Sequence, residues 1–198
     1  MNWASGLGKI SVKANADTVK EAVHAKGFKV DGIGLCRTEH MFFEKNSLQI
    51  MQKILLSSDK NDKISFISNL SKIQELEFEK IFKIMRFKTV TIRLLDLPVH
   101  EFLPNSINEL EILADELKMT FLQVSEKCKQ MAEINPMLGK RGVRLGILLP
   151  ELYRMQVKAI IKASISVYGK NQKEFPQLLL SRLTYSLKLK IKWFLPTC

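Results

Sequence analysis

Two short apolar runs, each broken off by an arginine, limit the fold of this chain more than any other feature. Gly32 to Cys36 reads GIGLC and leads into Arg37, Thr38, Glu39 and His40; Thr89 to Asp96 reads TVTIRLLD, with Val90, Ile92, Leu94 and Leu95 around Arg93. Short apolar runs closed by polar residues are the pattern of buried strands, and strands buried on both faces belong to parallel sheets. The residue ending such a strand arrives at the rim of the sheet, where α/β folds hold their ligands. A guanidinium is planar, permanently charged and forked, so two at one rim suit a small dianion bearing phosphate and carboxylate.

The stretches around these runs read as helices. Lys9 to Ala14 is a first strand candidate leading to Asn15 at the rim. Thr18 and Glu21 stand at capping-box spacing ahead of Ala22, Val23 and Ala25, and Gly27 is the stop. The first 36 residues thus predict β-α-β with parallel pairing. Helical spacing recurs over Ser47 to Ser58, and again from Phe66 through Leu70, Ile73, Phe78 and Ile81 to Met85. Beyond Pro104 and Asn105, a stripe of Ile107, Leu110, Leu113 or Ala114, and Leu117 predicts one helix, and Phe121, Val124, Cys128 and Met131 a second. Arg141 to Leu145 is expected to be a fourth short strand or a strand-like turn. Pro150 then opens a helix through Tyr168 that carries Leu152, Met155, Ala159 and Ala163 on one side.

Charge and cysteine content remove several function classes. The net charge of +11 arises from 31 Lys+Arg against 20 Asp+Glu. The lysines are scattered along helices among glutamates and form no stripe, so a solvated surface is expected and no specific nucleic-acid partner. Cys36, Cys128 and Cys198 have neither paired nor CxxC spacing, which supports neither a disulfide framework nor a zinc site. The N-terminal residues lack the apolar core of a leader, and no run approaches the ~18 apolar residues of a membrane span, so a cytoplasmic location is expected.

Four blocks, KANADT at Lys13 to Thr18, GIGLCRTEHMFFE at Gly32 to Glu44, TIRLLDLPVHEFLP at Thr91 to Pro104 and NPMLGKRGVRLG at Asn135 to Gly146, resemble the pyruvate phosphate dikinases. The resemblance covers roughly residues 1–176, in the family's order. It implies the opening part of a C-terminal barrel that binds phosphoenolpyruvate or pyruvate. A closed (β/α)8 barrel needs about 250 residues, so 198 residues predict an α/β fold that is an incomplete TIM-type barrel with a helical insertion. The expected organisation is residues 1–176 as partial barrel and 177–198 as a divergent basic tail with no acidic residue. A reading-frame change near Pro176 is the expected origin of that tail.

By this resemblance Arg37 and Arg93 match the arginines that hold the phosphoryl group and carboxylate of phosphoenolpyruvate, and Arg141 matches a third. Asn15 is a further substrate-binding candidate, as a donor to a substrate oxygen or as a turn former. Glu39 and Asp96 are expected to orient the arginines through bidentate pairs, and His40 and His100 to serve structural hydrogen bonds. Cys36, beside Arg37, is a candidate for a lowered thiol pKa. Gly139 and Gly142 permit a close backbone approach around Arg141. The family's magnesium ligands and proton-donating cysteine belong to later strands, and its phosphohistidine to a preceding domain. No catalytic residue and no metal site is therefore expected in this chain, Mg²⁺ belonging to the complete enzyme. Leu97 replaces the family's usual proline after Asp96, which predicts a looser loop beside Arg93. The resulting expectation is a substrate-binding part of a phosphotransferase, inactive alone. The alternative is a non-catalytic binding or assembly module, self-associating or completed by a split partner chain that covers its open sheet edges.

Overall fold

The computed structural model describes residues 11–86, 88–104, 106–132 and 140–169, together with the backbone of 177–179. Four short strands build one sheet: β1 (Lys13–Asn15), β2 (Gly32–Arg37), β3 (Thr89–Arg93) and β4 (Gln177–Leu179). Their order is β1-β2-β3-β4 and every pairing is parallel. Parallel neighbours need long crossovers, and the helices supply them. Helix α1 (Val19–Gly27) links β1 to β2. Between β2 and β3 lie α2 (Glu39–Phe42), α3 (Lys45–Leu56) and α4 (Lys60–Ile84). After β3 come a 3-10 turn (Val99–Phe102), α5 (Ile107–Leu117), α6 (Phe121–Met131), α7 (Val143–Leu148) and α8 (Pro150–Tyr168). The chain is mixed α/β, mostly helical, with a small parallel sheet.

Local sequence fixes most helix ends. The Thr18 hydroxyl accepts from Glu21 N at 3.3 Å, while Glu21 Oε2 accepts from Asp17 N at 2.7 Å, so the predicted capping box closes one residue early. At α6 the box is complete: Thr120 Oγ1 accepts from Gln123 N at 3.3 Å and Gln123 Oε1 from Thr120 N at 3.0 Å. Ser106 caps α5. Helix α4 begins earlier than the apolar spacing predicts, because Asp59 accepts from Asn61 N at 2.9 Å and starts it inside the polar stretch.

Val90 and Ile92 of β3 and Ile33 and Cys36 of β2 form the buried side of the sheet. They belong to one core with Met51 and Ile54 of α3, Leu70, Phe78, Ile81 and Phe82 of α4, and Met155, Ala159, Ile160 and Ala163 of α8. Helices α4 and α8 lie alongside each other, with Tyr168 Oη donating to Phe82 O at 3.3 Å and Lys162 3.6 Å from Glu75. A second, smaller cluster of Leu56, Leu103, Leu113, Ala114 and Val124 seats α5 and α6, the expected helical insertion. Lys127 of α6 donates to Leu56 O at 2.7 Å, which satisfies one of the orphan carbonyls at the end of α3.

Three sequence expectations shift. The first strand is Lys13–Asn15, later than Lys9–Ala14; Val12 is held instead by Asp31, whose carboxylate accepts from Val12 N at 2.7 Å. The segment expected as a fourth short strand or strand-like turn over Arg141 to Leu145 is a turn leading into α7. A strand needs a neighbour for its amides and carbonyls. The free edge of β3 is taken by Gln177–Leu179, so residues 142–149 close on themselves, with Gly146 N to Gly142 O at 3.0 Å and Leu149 N to Leu145 O at 2.8 Å. The first residues of the predicted tail thus join the sheet as β4. Residues 9–10, Asn105, Gly139, Pro176 and the rest of that tail lie outside the described residues.

Candidate functional site

Arg37 and Arg93 end their strands as register partners. That pairing depends on an irregularity. Ile33 pairs with Val90 and Cys36 with Ile92, so three residues of β2 advance against two of β3. Strict alternation would send Ile33 and Arg37 to the same side, and Ile33 is fully buried. The extra residue at Gly34-Leu35 reverses the parity, as a bulge does, and carries Arg37 to the half-exposed side that Arg93 and Thr91 share. Gly32 starts β2 where it meets Thr89 closely: a Cβ there would collide with Thr89 O and Oγ1.

Each arginine faces a carboxylate. Arg93 Nη2 donates to Glu39 Oε1 at 2.7 Å, and the Glu39 side chain is only 4% exposed. Arg141 Nε donates to Asp96 Oδ1 at 3.2 Å, and its Nη2 to Asp96 O at the same distance. Arg37 is held less tightly. Its backbone amide donates to Asp17 Oδ1 at 2.6 Å, but Nη1 stands 3.7 Å from Asp17 Oδ2, an oxygen that also has His40 Nε2 at 3.4 Å, and the Arg37 side chain is 43% exposed. Of the three guanidinium groups Arg37 has the most freedom to turn toward a solute anion. Glu39 Oε2 and Arg93 Nε are buried without a hydrogen-bond partner, so that ion pair is single-pronged where a fork is possible.

The loop after β3 is held by side chains from all around it. Thr38 Oγ1 donates to Arg93 O at 2.9 Å, and Gln156 Oε1 accepts from Leu95 N at 3.0 Å. Glu39 Oε1 accepts from Asp96 N at 3.1 Å, Tyr153 Oη bonds Leu95 O at 2.7 Å, and Arg141 takes Asp96 O. Buried backbone groups outside regular structure must find such partners. These bonds hold Arg93, Leu95 and Asp96, and Leu97 packs against the main core.

The sequence-predicted residues are thus brought together unequally. Arg37 and Arg93 are adjacent on one side of the sheet, and Arg93 connects to Arg141 through Glu39 and Asp96. Asn15 stands one strand away on β1, exposed, paired with Leu35 and lying beside Gly34. Glu39 and Asp96 pair with Arg93 and Arg141, each through one carboxylate oxygen and not through the bidentate pairs expected. Cys36 reverses its expectation. Burial, then the nearby Asp17, Glu39 and Glu21 carboxylates, push its thiol up to about 12, because Cys36 points into the core while Arg37 points out. Tyr153, Gln156, Thr38 and the role of Asp17 escape the sequence reading. The available signal is a buried Gln and Tyr interrupting the apolar stripe of α8, since a polar group placed there must be bonded to something. A separate cavity of about 420 Å³ between α4 and α8 is lined by residues such as Ile67, Lys72, Arg154 and Lys158, and by none of the candidate residues.

No helix among the described residues is long and apolar enough to cross a membrane. Residues 1–182 match the family described as PEP-utilising enzyme, PEP-binding domain. The chain is 40% identical over 174 residues to the pyruvate, phosphate dikinase of Rickettsia prowazekii, covering 88% of this chain and 20% of that protein. It is 38% identical over 191 residues to the pyruvate, phosphate dikinase of Giardia intestinalis, covering 96% and 22%. Pyruvate, phosphate dikinase 2 of Oryza sativa is 41% identical over 182 residues, covering 90% and 20%. The chain thus spans about a fifth of the length of these relatives. With a family match over most of its length and this identity to the dikinases, the chain belongs to the PEP-binding domain family of the PEP-utilising enzymes.

Proposed function

We propose that the half-exposed side of the sheet formed by Arg37 and Arg93, with Arg141 beside it and Asn15 at its margin, binds the phosphate and carboxylate of phosphoenolpyruvate, or the carboxylate of pyruvate. The observation that carries this reading is the register pairing of Arg37 with Arg93 at the C-terminal ends of adjacent parallel strands. The consecutive parallel order β1-β2-β3-β4 supports an incomplete TIM-type barrel as the frame. Two guanidinium groups side by side offset the charge of a phosphoryl group and hold it in place, which is where phosphoryl transfer obtains most of its catalysis. In the dikinase reading a histidine on another domain receives that group, so this chain by itself binds substrate without turnover, in the cytoplasm.

Mg²⁺ is part of the complete enzyme in that reading, and the donors present here do not fit it. Among the described residues no group of three or more His, Cys, Asp or Glu side chains comes together as a metal site. Glu39 and Asp96 are already committed to Arg93 and Arg141. Binding in this chain is therefore derived from the arginines alone.

Titration calorimetry with phosphoenolpyruvate tests the reading on the wild-type chain, Arg37→Ala and Arg93→Ala. Heat from the wild type that is lost in both variants is expected; equal heats from all three would refute the site. A second reading, an assembly module completed by a partner chain or a second copy, draws on the outer strands β1 and β4 of the sheet, since edge strands are templates for pairing. Light scattering across a concentration series tests that reading, and a monomer at all concentrations, alone and with the remaining barrel sequence of a dikinase added, would remove it.

A further inference from the structure

Tyr153 lies on α8, is 8% exposed, and places its hydroxyl between two backbone segments that carry site residues. Its Oη is 2.7 Å from Leu95 O and 2.9 Å from Gly142 O. Leu95 precedes Asp96, and Gly142 follows Arg141. The hydroxyl thus joins the two backbones next to the paired side chains Asp96 and Arg141. Gly142 has φ +52°, a conformation that glycine adopts freely, and this lets its carbonyl turn toward the ring. A phenol has one proton, so it donates to one carbonyl at a time while both stay within reach. Three residues on, Gln156 holds Leu95 N from the same face of α8.

We infer that Tyr153 is a positioning residue: its hydroxyl sets the spacing between the loop after β3 and the start of α7, and through it the place of the Arg141 guanidinium. This rests on the reading of Arg141 as part of a phosphoenolpyruvate site only for its effect on binding. The placement of Arg141 is testable without any ligand. Tyr168 provides a control on the same helix, since its hydroxyl also bonds a backbone carbonyl, Phe82 O at 3.3 Å, in a region that carries no candidate site residue.

The experiment compares the wild-type chain, Tyr153→Phe and Tyr168→Phe by side-chain ¹⁵N NMR of the arginines and by phosphoenolpyruvate calorimetry. In the wild type the Arg141 Nε–H is expected at a shifted, slowly exchanging position. In Tyr153→Phe it should move toward the position of a solvent-exposed arginine, and the dissociation constant should rise roughly fivefold to tenfold, the worth of about one hydrogen bond. Tyr168→Phe should change neither. An Arg141 signal unaltered in Tyr153→Phe, or altered equally in Tyr168→Phe, overturns the inference. If the wild type binds no phosphoenolpyruvate while the Arg141 signal responds to Tyr153→Phe alone, the positioning role stands and the substrate reading falls. Should Tyr153→Phe not fold, the wild-type hydroxyl proton decides: it must show a nuclear Overhauser contact to the Gly142 α-protons, and its absence overturns the assignment.

Discussion

Arg37 sits opposite Arg93 in the β2–β3 ladder only because β2 carries one residue more than β3 between Ile33 and Cys36. A slip of one residue exchanges the two sides of a strand, so the bulge decides whether Arg37 meets solvent or the core. Deleting Gly34 removes the extra residue and sets Ile33, Leu35, Cys36 and Arg37 one-to-one against Val90, Thr91, Ile92 and Arg93, so plain alternation then keeps Arg37 beside Arg93. Phosphoenolpyruvate binding should therefore survive the deletion, and urea unfolding should show none of the loss of about 3 kcal/mol or more that burying an unpaired guanidinium brings. Loss of binding together with such a destabilisation would show that the residue count between Ile33 and Cys36 does not set the side on which Arg37 emerges.

The two paired arginines should respond differently to truncation. Arg93→Ala strands the Glu39 carboxylate, which is buried and pairs with the Arg93 guanidinium at 2.7 Å. Breaking a mostly buried pair from one side costs about 3 kcal/mol. Arg37→Ala removes a side chain 43% exposed and leaves Asp17 its bond from the Arg37 backbone amide and its contact with His40. Exposed pairs are worth about 0.5 kcal/mol. Thermal melts of the two variants should therefore separate clearly, although both lose the proposed anion site. Removing the stranded charge as well, in Arg93→Ala with Glu39→Gln, should recover part of the stability; no recovery would mean that Glu39 is not the cause.

The parts of this architecture that were legible in the sequence are those written in local periodicity. Pro150 to Tyr168 forms α8 over its whole predicted span, and Leu152, Met155, Ala159 and Ala163 are all buried. Arg37 and Arg93 emerge at strand ends because a short apolar run closed by charge is visible without a partner. What stayed hidden depends on pairing. Residues 141–145 alternate Val143 and Leu145 with Gly142 and Arg144, a pattern open to strand or helix until the pairing of β3 with Gln177–Leu179 is known. The bulge was hidden for the same reason, though Gly34 inside a strand pattern is its usual mark. Cys36 departs from what its adjacency to Arg37 suggests because neighbours in a strand face opposite ways.

Cys36 should be inert as a nucleophile. With its pKa pushed up to about 12 by burial and by nearby carboxylates, only roughly one thiol in ten thousand is ionised at pH 8. Iodoacetamide at pH 8 should leave the Cys36 peptide unmodified in folded protein and label it in urea, as read by mass spectrometry. The sign of the linkage follows. The folded value lies above the ordinary 9.0, so the unfolded chain ionises first and stability is lost as pH rises from about 9 toward 12. Cys36→Ser should flatten that alkaline decline relative to wild type. Rapid labelling of Cys36 in the folded state would contradict its burial.

Lys127 connects the helical insertion to the body of the fold. Its ammonium donates to Leu56 O at 2.7 Å and to the Ser58 hydroxyl, and burial followed by the charge of Lys63 lowers its pKa. The stem of a lysine packs as well as a methionine does, so Lys127→Met keeps the apolar contact and removes only the donor. The carbonyl at the end of α3 then loses its partner, and a destabilisation of about 1 kcal/mol is expected. Hydrogen exchange should localise the effect, with faster exchange at the C-terminal turn of α3 and in α6, and unchanged exchange in β2 and β3. Acceleration in the strands as well would mean that the insertion and the sheet open as one unit, and the smaller core of Leu56, Leu113 and Val124 would then not be an independent patch.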